Sequence, residues 1–405
     1  MGSSAGKRAW CRTFQAVMKV GNYFLPWRIP ETLSGEDSVL ELPDKLKAAG
    51  HDSVLVVTDE SLMKLGLPVP MLNKMKEMGL NVAVYSSVQP NPTDRNVEDG
   101  FRMFREKNCK AIVAFGGGSP MDCAKGIAAK QAHPKKAVRQ LQGLLKVHKR
   151  IVPFYAVPTT AGTGSETTVA AVITEEKTHH KASINDPVLM PRLAVLDPKL
   201  TQGLPPFITA TTGMDALCHA VESYTNGTYL THLEREYAKN AVRLIHEHIL
   251  AAYEDGSSIE HRQAMQWAAF YAGRSFTRGC VGYVHAVGHT LGGLYGVPHG
   301  LAMSMILPCV LRQYGEKVFG RLAELADECG IQGRSDAEKA ESFISWIEET
   351  NRKMQIPRGT DVIQDKDIPQ IIAWADKEAN PLYPVPVIWG EDDFRTLLET
   401  LRKQA

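Results

Sequence analysis

Hydrophobic positions along this 405-residue chain change period near Gly203, Leu204, Pro205 and Pro206. Ahead of that point, short apolar runs alternate with helical stretches: Val54 to Val57, Val82 to Tyr85, Ala111 to Phe115, Phe154 to Val157 and Leu193 to Leu196. Strands of that length separated by helices predict a parallel sheet covered by helices. Beyond it, apolar residues recur at helical spacing almost throughout, as in LEREYAKNAVRLIHEHILAAY and EKVFGRLAELADECG. The pattern predicts an α/β domain over residues 30–203 and an all-helical domain over 204–405, preceded by an extension over 1–29.

The helical half carries a set of acidic and histidine residues. GMDALCHAVE places Asp215 and His219 four apart, and HAVGHTLGGLYGVPHG repeats that spacing with His285 and His289. A glycine-rich turn (Gly292, Gly293, Gly296, Pro298) then leads to His299. Residues four apart on a helix share a face, so one carboxylate and several imidazoles can converge. An oxygen with three nitrogens suits a divalent transition metal; it is too soft a set for calcium or magnesium and lacks the thiolates of a structural zinc site. A chain with 13 histidines places two at helical spacing by chance, so the argument rests on two such pairs and a further His lying close together among small residues. Spacing does not choose the four ligands, because His289 shares the face of His285 and His232 is also near.

The first half holds FGGGSPMDCAK directly after the run Ala111 to Phe115 and before a helical pattern starting near Pro120. Gly116, Gly117 and Gly118 let backbone amides approach an anion, Ser119 is placed to cap the helix, and a helix N-terminus favours negative charge. Asp122 reads as a helix-cap carboxylate. The motif is not GxGxxG, and the acidic residue Asp59 ends an earlier strand instead of following the glycines, which implies a variant nucleotide fold. A third segment, VPTTAGTGSETTVAAVIT, sets Thr159, Thr160, Gly162, Thr163, Gly164 and Ser165 between two β-prone runs. Hydroxyls so placed can bond a nicotinamide or pyrophosphate; an ordinary polar turn has the same composition.

These segments, in this order, resemble the iron-containing, or group III, alcohol dehydrogenase family from about Pro30 to the C-terminus. The matching pieces are VLVVTDESL, QPNPTD, FGGGSPMDCAKGIA, VPTTAGTGSETT, HKASINDPVLMPRLAVLDP, LPPFITATTGMDALCHAVESY and HAVGHTLGGLYGVPHGLAMSMILP. The resemblance implies a Rossmann-like domain followed by an all-α metal-binding domain, in a dehydroquinate synthase-like architecture. It implies a metal, Fe²⁺ first and Zn²⁺ second, on Asp215, His219, His285 and His299, with His289 nearby and unbound; His289 is then the candidate proton relay, a structural histidine packing under the metal helix being the alternative. It assigns NAD to Asp59, Asn91, Gly117, Gly118, Ser119, Thr159, Thr160, Thr163, Val172, Lys181 and Leu200. A carboxylate at Asp59 facing the adenosine ribose favours NAD over NADP. The expected activity is reversible hydride transfer between NAD(H) and small primary alcohols, diols or their aldehydes, by a homodimer or larger homo-oligomer. Phe276, Tyr283 and residues of ANPLYPVPV are expected to line the pocket near the metal.

A formal net charge of +1 gives no electrostatic case for nucleic acid. No apolar run reaches the roughly 18 residues of a membrane span. Seven cysteines without a CxxC pair read as reduced thiols of a cytoplasmic protein. The extension sets Lys7, Arg8, Arg12, Lys19 and Arg28 against the single acid Glu31, with Phe14, Val17 and Met18 at helical spacing. It reads as a solvated or packing arm, with a targeting or encapsulation helix as the alternative; Lys19 and Asn22 interrupt the apolar stretch and argue against a cleaved secretory signal. Two other classes of function stay open. A sugar-phosphate lyase or polyol-phosphate dehydrogenase of the dehydroquinate synthase-like kind would draw its phosphate-binding cations from Arg235, Lys239, Arg243, Arg262, Arg274 and Arg278, and a non-catalytic metal-binding or assembly protein would need no turnover at all.

Overall fold

The structure is a computed structural model and describes residues 4–177 and 181–405. They fall into two compact units. One comprises Pro26–Gly203 with Ser257–Gln266; the other comprises the segment ending at Leu25, Leu204–Gly256 and Trp267–Ala405.

The first unit is built on a sheet whose strands are, in chain order, β1 (Glu31–Ser34), β2 (Ser53–Val57), β3 (Asn81–Tyr85), β4 (Ala111–Gly116), β6 (Phe154–Pro158) and β9 (Leu193–Leu196). Their spatial order is β1-β9-β6-β4-β2-β3, and every pairing is parallel. The central strands are buried at every residue, as the near-continuous apolar runs SVLVV and FYAVP require of strands covered on both faces. Alternate residues serve opposite layers: Leu55, Val57, Ile112, Ala114, Phe154 and Ala156 join one apolar cluster, while Val54, Val56, Val113, Phe115, Tyr155 and Val157 join the other. A smaller sheet has the order β5-β8-β7, from β5 (Gly143–Leu144), β7 (Ala170–Thr174) and β8 (Lys181–Asn185). Nothing in the apolar pattern marks β8, because KASIN holds one large apolar residue; antiparallel pairing with β7 makes it a strand.

The strand order decides what the loops can do. β6, β4 and β2 are neighbours, with Val57 opposite Ala114 and Gly116 opposite Pro158. Their carboxyl ends lead into Asp59, the glycine run and Thr159, so three segments distant in sequence open at one edge, where parallel sheets bind ligands.

In the second unit the helix Pro206–Asn226 is buried along nearly its whole length, which marks a helix at the centre of a bundle. Gly300, near the start of the helix His299–Tyr314, lies against it: a Cβ there would sit 2.4 Å from the carbonyl oxygen of Thr211. Only glycine permits that approach, which lays the beginning of one helix beside the second turn of the other. Gly292 and Gly293, expected in a turn, instead complete the helix Tyr283–Tyr295, and the turn is reduced to Gly296, at φ +69°, with Val297 and Pro298. The N-terminal helix Ala5–Tyr23 also belongs to this unit, where Gln15 Nε2 donates to the carbonyls of Pro381 at 3.1 Å and Tyr383 at 2.9 Å.

Candidate metal centre and cofactor cradle

Three helices of the second unit bring the acidic and histidine residues together. Asp215 is the hub: its Oδ1 lies 3.7 Å from His285 Nε2 and 3.3 Å from His299 Nε2, and its Oδ2 lies 3.9 Å from His219 Nδ1. Among the described residues, Asp215, His285 and His299 offer ligand atoms within 4.8 Å of one another. His219 adjoins that group: its ring stacks on His285 with centroids 4.5 Å apart, and on Phe276 at 4.1 Å.

The donor chemistry fits a cation. Asp215 Oδ1 and His285 Nε2 are buried without a hydrogen-bond partner. Each such atom costs about 1–3 kcal/mol, and a single cation touching both removes the penalty. His285 Nδ1 meets Glu222 Oε2 at 2.5 Å, while Glu222 Oε1 accepts from the Val284 amide at 2.7 Å. With Nδ1–H donating to the carboxylate, Nε2 keeps its lone pair for a metal, the usual arrangement of a ligating histidine. Burial by itself would raise the Asp215 carboxyl, but the imidazoles of His219, His299 and His285 override it and hold the group well below its ordinary value. Burial likewise opposes a His285 cation, yet Glu222 and Asp215 prevail and push it up to about 9. Two buried carboxylates thus draw positive charge to this point, which a divalent metal supplies without protonating its own ligands. Glu222→Gln is expected to weaken metal binding about tenfold. Residual metal after dialysis against graded chelator measures this, and unchanged retention would make Glu222 a packing residue only.

His289 stands apart from the ligand group. Its Nδ1 meets Glu378 Oε1 at 2.8 Å, and Tyr383 donates to the same oxygen at 3.1 Å. Its ring stacks on His299 at 5.2 Å.

In the first unit, the glycine run and the threonine loop face each other. A Cβ on Gly117 would lie 3.2 Å from Thr160 Oγ1, and one on Gly118 would lie 3.1 Å from Thr163 Cγ2, so bare backbone and hydroxyls share one surface. The helix Gly118–Ala132 starts there, giving the surface an electropositive end. Asn91, at φ 58°, receives Lys181 Nζ on its Oδ1 at 2.8 Å and gives its amide to Ser119 Oγ at 3.3 Å. Asp59 accepts from the Leu62 amide at 2.9 Å as N-cap of the helix Glu60–Lys64. Thr159 is buried, its amide bonded to the Gly116 carbonyl at 3.2 Å. Val172 lies on β7, and Leu200 packs into the apolar cluster that holds Phe115 and Tyr155.

Lys125 fastens this surface from below. It is fully buried, and its Nζ donates to Ser165 O at 2.7 Å, Ser165 Oγ at 3.1 Å, Thr168 Oγ1 at 2.7 Å and Ala170 O at 2.9 Å. Asp122 completes the clamp, accepting from Ser165 Oγ at 3.3 Å and the Val172 amide at 3.1 Å. Burial lowers the Lys125 ammonium to about 8 and raises Asp122 to about 6.

The description "Iron-containing alcohol dehydrogenase" matches residues 30–198, and the C-terminal description of the same family matches residues 209–401. The chain belongs to the iron-containing alcohol dehydrogenase family. The NAD-dependent methanol dehydrogenase of Bacillus methanolicus is 38% identical over 341 residues, covering 84% of this chain and 88% of that protein. The NADPH-dependent butanol dehydrogenase of Clostridium saccharobutylicum is 34% identical over 310 residues, covering 76% and 79%. A crystal structure of 1,3-propanediol oxidoreductase aligns with a TM-score of 0.89 at 33% identity, covering 93% of this chain and all of that one.

Within this iron-containing alcohol dehydrogenase, several side chains differ from their sequence-based roles. Ser119 does not cap the glycine-run helix: the N-cap is Gly117, and the Ser119 hydroxyl serves Asn91. Asp122 is no cap either, since its carboxylate reaches across to Ser165 and Val172. Phe276 lies against the metal group, but Tyr283 is fully buried against Trp389 at 4.4 Å, its hydroxyl occupied by Asn380 and the Trp389 amide. Glu222, Glu378 and Lys125 went unnoticed. Glu222 had a local signal, three residues after His219 on the same helical face; Glu378 had none, being 89 residues from His289.

Proposed function

We propose that this member of the iron-containing alcohol dehydrogenase family interconverts small primary alcohols or diols and their aldehydes with NAD(H), using Fe²⁺ or, second, Zn²⁺. The carrying observation is the pair of buried, unpartnered atoms Asp215 Oδ1 and His285 Nε2, with His285 oriented by Glu222. Asp215, His219, His285 and His299 would hold the metal. A metal held there supplies Lewis acidity toward the alcohol oxygen, and NAD supplies the hydride acceptor. Gly117, Gly118, Ser119 and the threonines at 159, 160 and 163 bind and orient the cofactor, Asn91 and Lys181 hold its ribose side, and Asp59 reads the adenosine ribose.

His289 is the residue placed to move the alcohol proton outward, with Glu378 and Tyr383 behind it. His289→Ala is expected to keep its metal and lose about tenfold in kcat, within the modest end of proton-transfer effects. Equal metal loss in that variant would make His289 a ligand and remove the relay.

The sugar-phosphate alternative is disfavoured because four of its six expected cations are engaged elsewhere: Lys239 pairs with Glu328 at 2.9 Å, Arg243 with Glu247 at 3.0 Å and Arg278 with Glu234 at 3.8 Å, and Arg235 donates to the Gly227 carbonyl at 3.2 Å. We assign the protein to the cytoplasm as a homodimer or larger oligomer on the family resemblance, with light scattering as the check on assembly; among the described residues no helix is long and apolar enough to cross a membrane. The deciding experiment is NADH absorbance with a panel of aldehydes, under anaerobic Fe²⁺ and separately Zn²⁺. Consumption of a sugar phosphate without net NADH oxidation, and no turnover of any aldehyde, would overturn the proposal.

A further inference from the structure

One face of the helix Gly118–Ala132 ties three segments of the first unit together. Gly118, Asp122 and Lys125 stand four and three residues apart, so they share that face, with the glycine run at its start. Asp122 accepts from Ser165 Oγ at 3.3 Å and from the Val172 amide at 3.1 Å, one bond to the threonine loop and one to β7. Lys125 reaches the same two segments with its donors: Ser165 O and Thr168 Oγ1, both at 2.7 Å, belong to the loop, and Ala170 O, at 2.9 Å, opens β7. The chain of bonds ends on a cofactor candidate. Ser165 passes it on, its amide donating to Thr163 Oγ1 at 3.3 Å, and Thr163 is the residue whose methyl lies 3.1 Å from where a Cβ on Gly118 would stand. Between Thr163 and Ser165 the chain turns at Gly164, φ +58°, a left-handed conformation that glycine takes without strain but that no side chain of its own holds.

Packing alone does not account for an ammonium at this point. Lys125 has no exposed surface, and burial lowers its ammonium to about 8 although Asp122 and Glu166 oppose the shift. A methionine would fill much the same volume without that desolvation, and a buried charge is in general a poor way to add stability. What the ammonium adds is direction. Its three protons hold the carbonyls of Ser165 and Ala170 and the hydroxyl of Thr168 in a fixed arrangement, which an apolar side chain cannot do. A surface held in this way before its ligand arrives spares the ligand the cost of ordering it. We propose that Asp122 and Lys125 are positioning residues for the cofactor, setting Thr163 against the glycine run by way of Ser165. The proposal rests on the reading that the glycine run and the threonine loop hold NAD.

The test is equilibrium binding of NADH to the full-length, metal-loaded protein, read by fluorescence, with metal content measured alongside. Lys125→Met is expected to weaken NADH binding about tenfold or more and to keep its metal, whose proposed ligands lie in the other unit. Thr168→Val keeps the shape of the side chain and removes one acceptor of the ammonium; it should weaken NADH about fivefold, whereas Thr168→Ser, which keeps the hydroxyl and loses the methyl, should bind as the parent does. A packing role reverses that order. Parental affinity in Thr168→Val with loss in Thr168→Ser would therefore overturn the proposal, and this pair decides the matter if Lys125→Met fails to fold. Thr163→Val tests the underlying reading. If it weakens NADH while Lys125→Met and Thr168→Val do not, the cofactor sits on the loop and the positioning role is wrong. If NADH binds all of these variants as it binds the parent, the cofactor reading and the positioning role fall together.

Discussion

Replacing His299 by alanine is expected to strip the protein of its metal and lower kcat by on the order of 10³-fold or more, while NADH still binds. His299 begins its helix and sets Nε2 3.3 Å from Asp215 Oδ1, the shortest of the three imidazole approaches to that carboxylate. Removing it leaves Asp215 and His285 in place but takes away one ligand, and a metal's stabilisation of transition-state charge is worth several kcal/mol, each 1.36 kcal/mol being about tenfold in rate. The residues proposed to hold the cofactor all lie in the other unit of the chain, from Asp59 to Leu200, so the cofactor's own affinity is expected to be unchanged. Metal content by elemental analysis, NADH fluorescence titration and single-turnover kinetics separate the effects. Full metal content with full activity in purified His299→Ala would overturn the ligand assignment. Loss of NADH binding together with metal would mean that the substitution had damaged the fold.

The sequence made some parts of this molecule legible and hid others for physical reasons. β2, β4 and β6 were readable because a strand buried on both faces is apolar nearly throughout, as FYAVP and the last four residues of SVLVV are. A candidate ligand set was readable because i, i+4 spacing is a local property, and Asp215 with His219 and His285 with His289 each declare it, although His289 turns to Glu378. Which imidazoles surround one point was not readable, since it depends on Gly300 letting two helix backbones touch. Lys125 escaped notice because a lysine in a helix reads as surface, and only the fold shows its four acceptors, supplied by Ser165, Thr168 and Ala170 about one ammonium. Glu378 and Tyr383 approach His289 from the far end of the chain, where periodicity carries no information about partners. The N-terminal extension read only as a solvated or packing arm; that it is a helix, and which of its faces is packed, follows from Gln15 and Lys7 finding carbonyls at residues 381, 383 and 389.

The wild-type enzyme is expected to prefer NAD to NADP by about ten- to a hundredfold in kcat/KM, and Asp59→Asn to erase most of that preference. Asp59 follows β2 with an extended backbone, φ −117° and ψ 165°, and caps the next helix through Oδ1, which receives the Leu62 amide. The cap fixes the orientation of the carboxylate, leaving Oδ2 for a ribose hydroxyl. A hydrogen bond to a charged group contributes about 1.5–3 kcal/mol, or roughly one to two powers of ten, and a phosphate on that hydroxyl would instead meet the carboxylate at close range. Helix capping is a competing reason for an Asp at this position, so the choice of variant matters. Asparagine caps as well as aspartate, so Asp59→Asn removes the charge and keeps the helix; Asp59→Gly removes both, at a further cost of only a few tenths of a kcal/mol. If the carboxylate reads the ribose, both variants shift the cofactor ratio alike. A ratio unchanged in Asp59→Asn, or wild-type enzyme that uses both cofactors equally, would reduce Asp59 to a helix cap and leave cofactor choice to other residues.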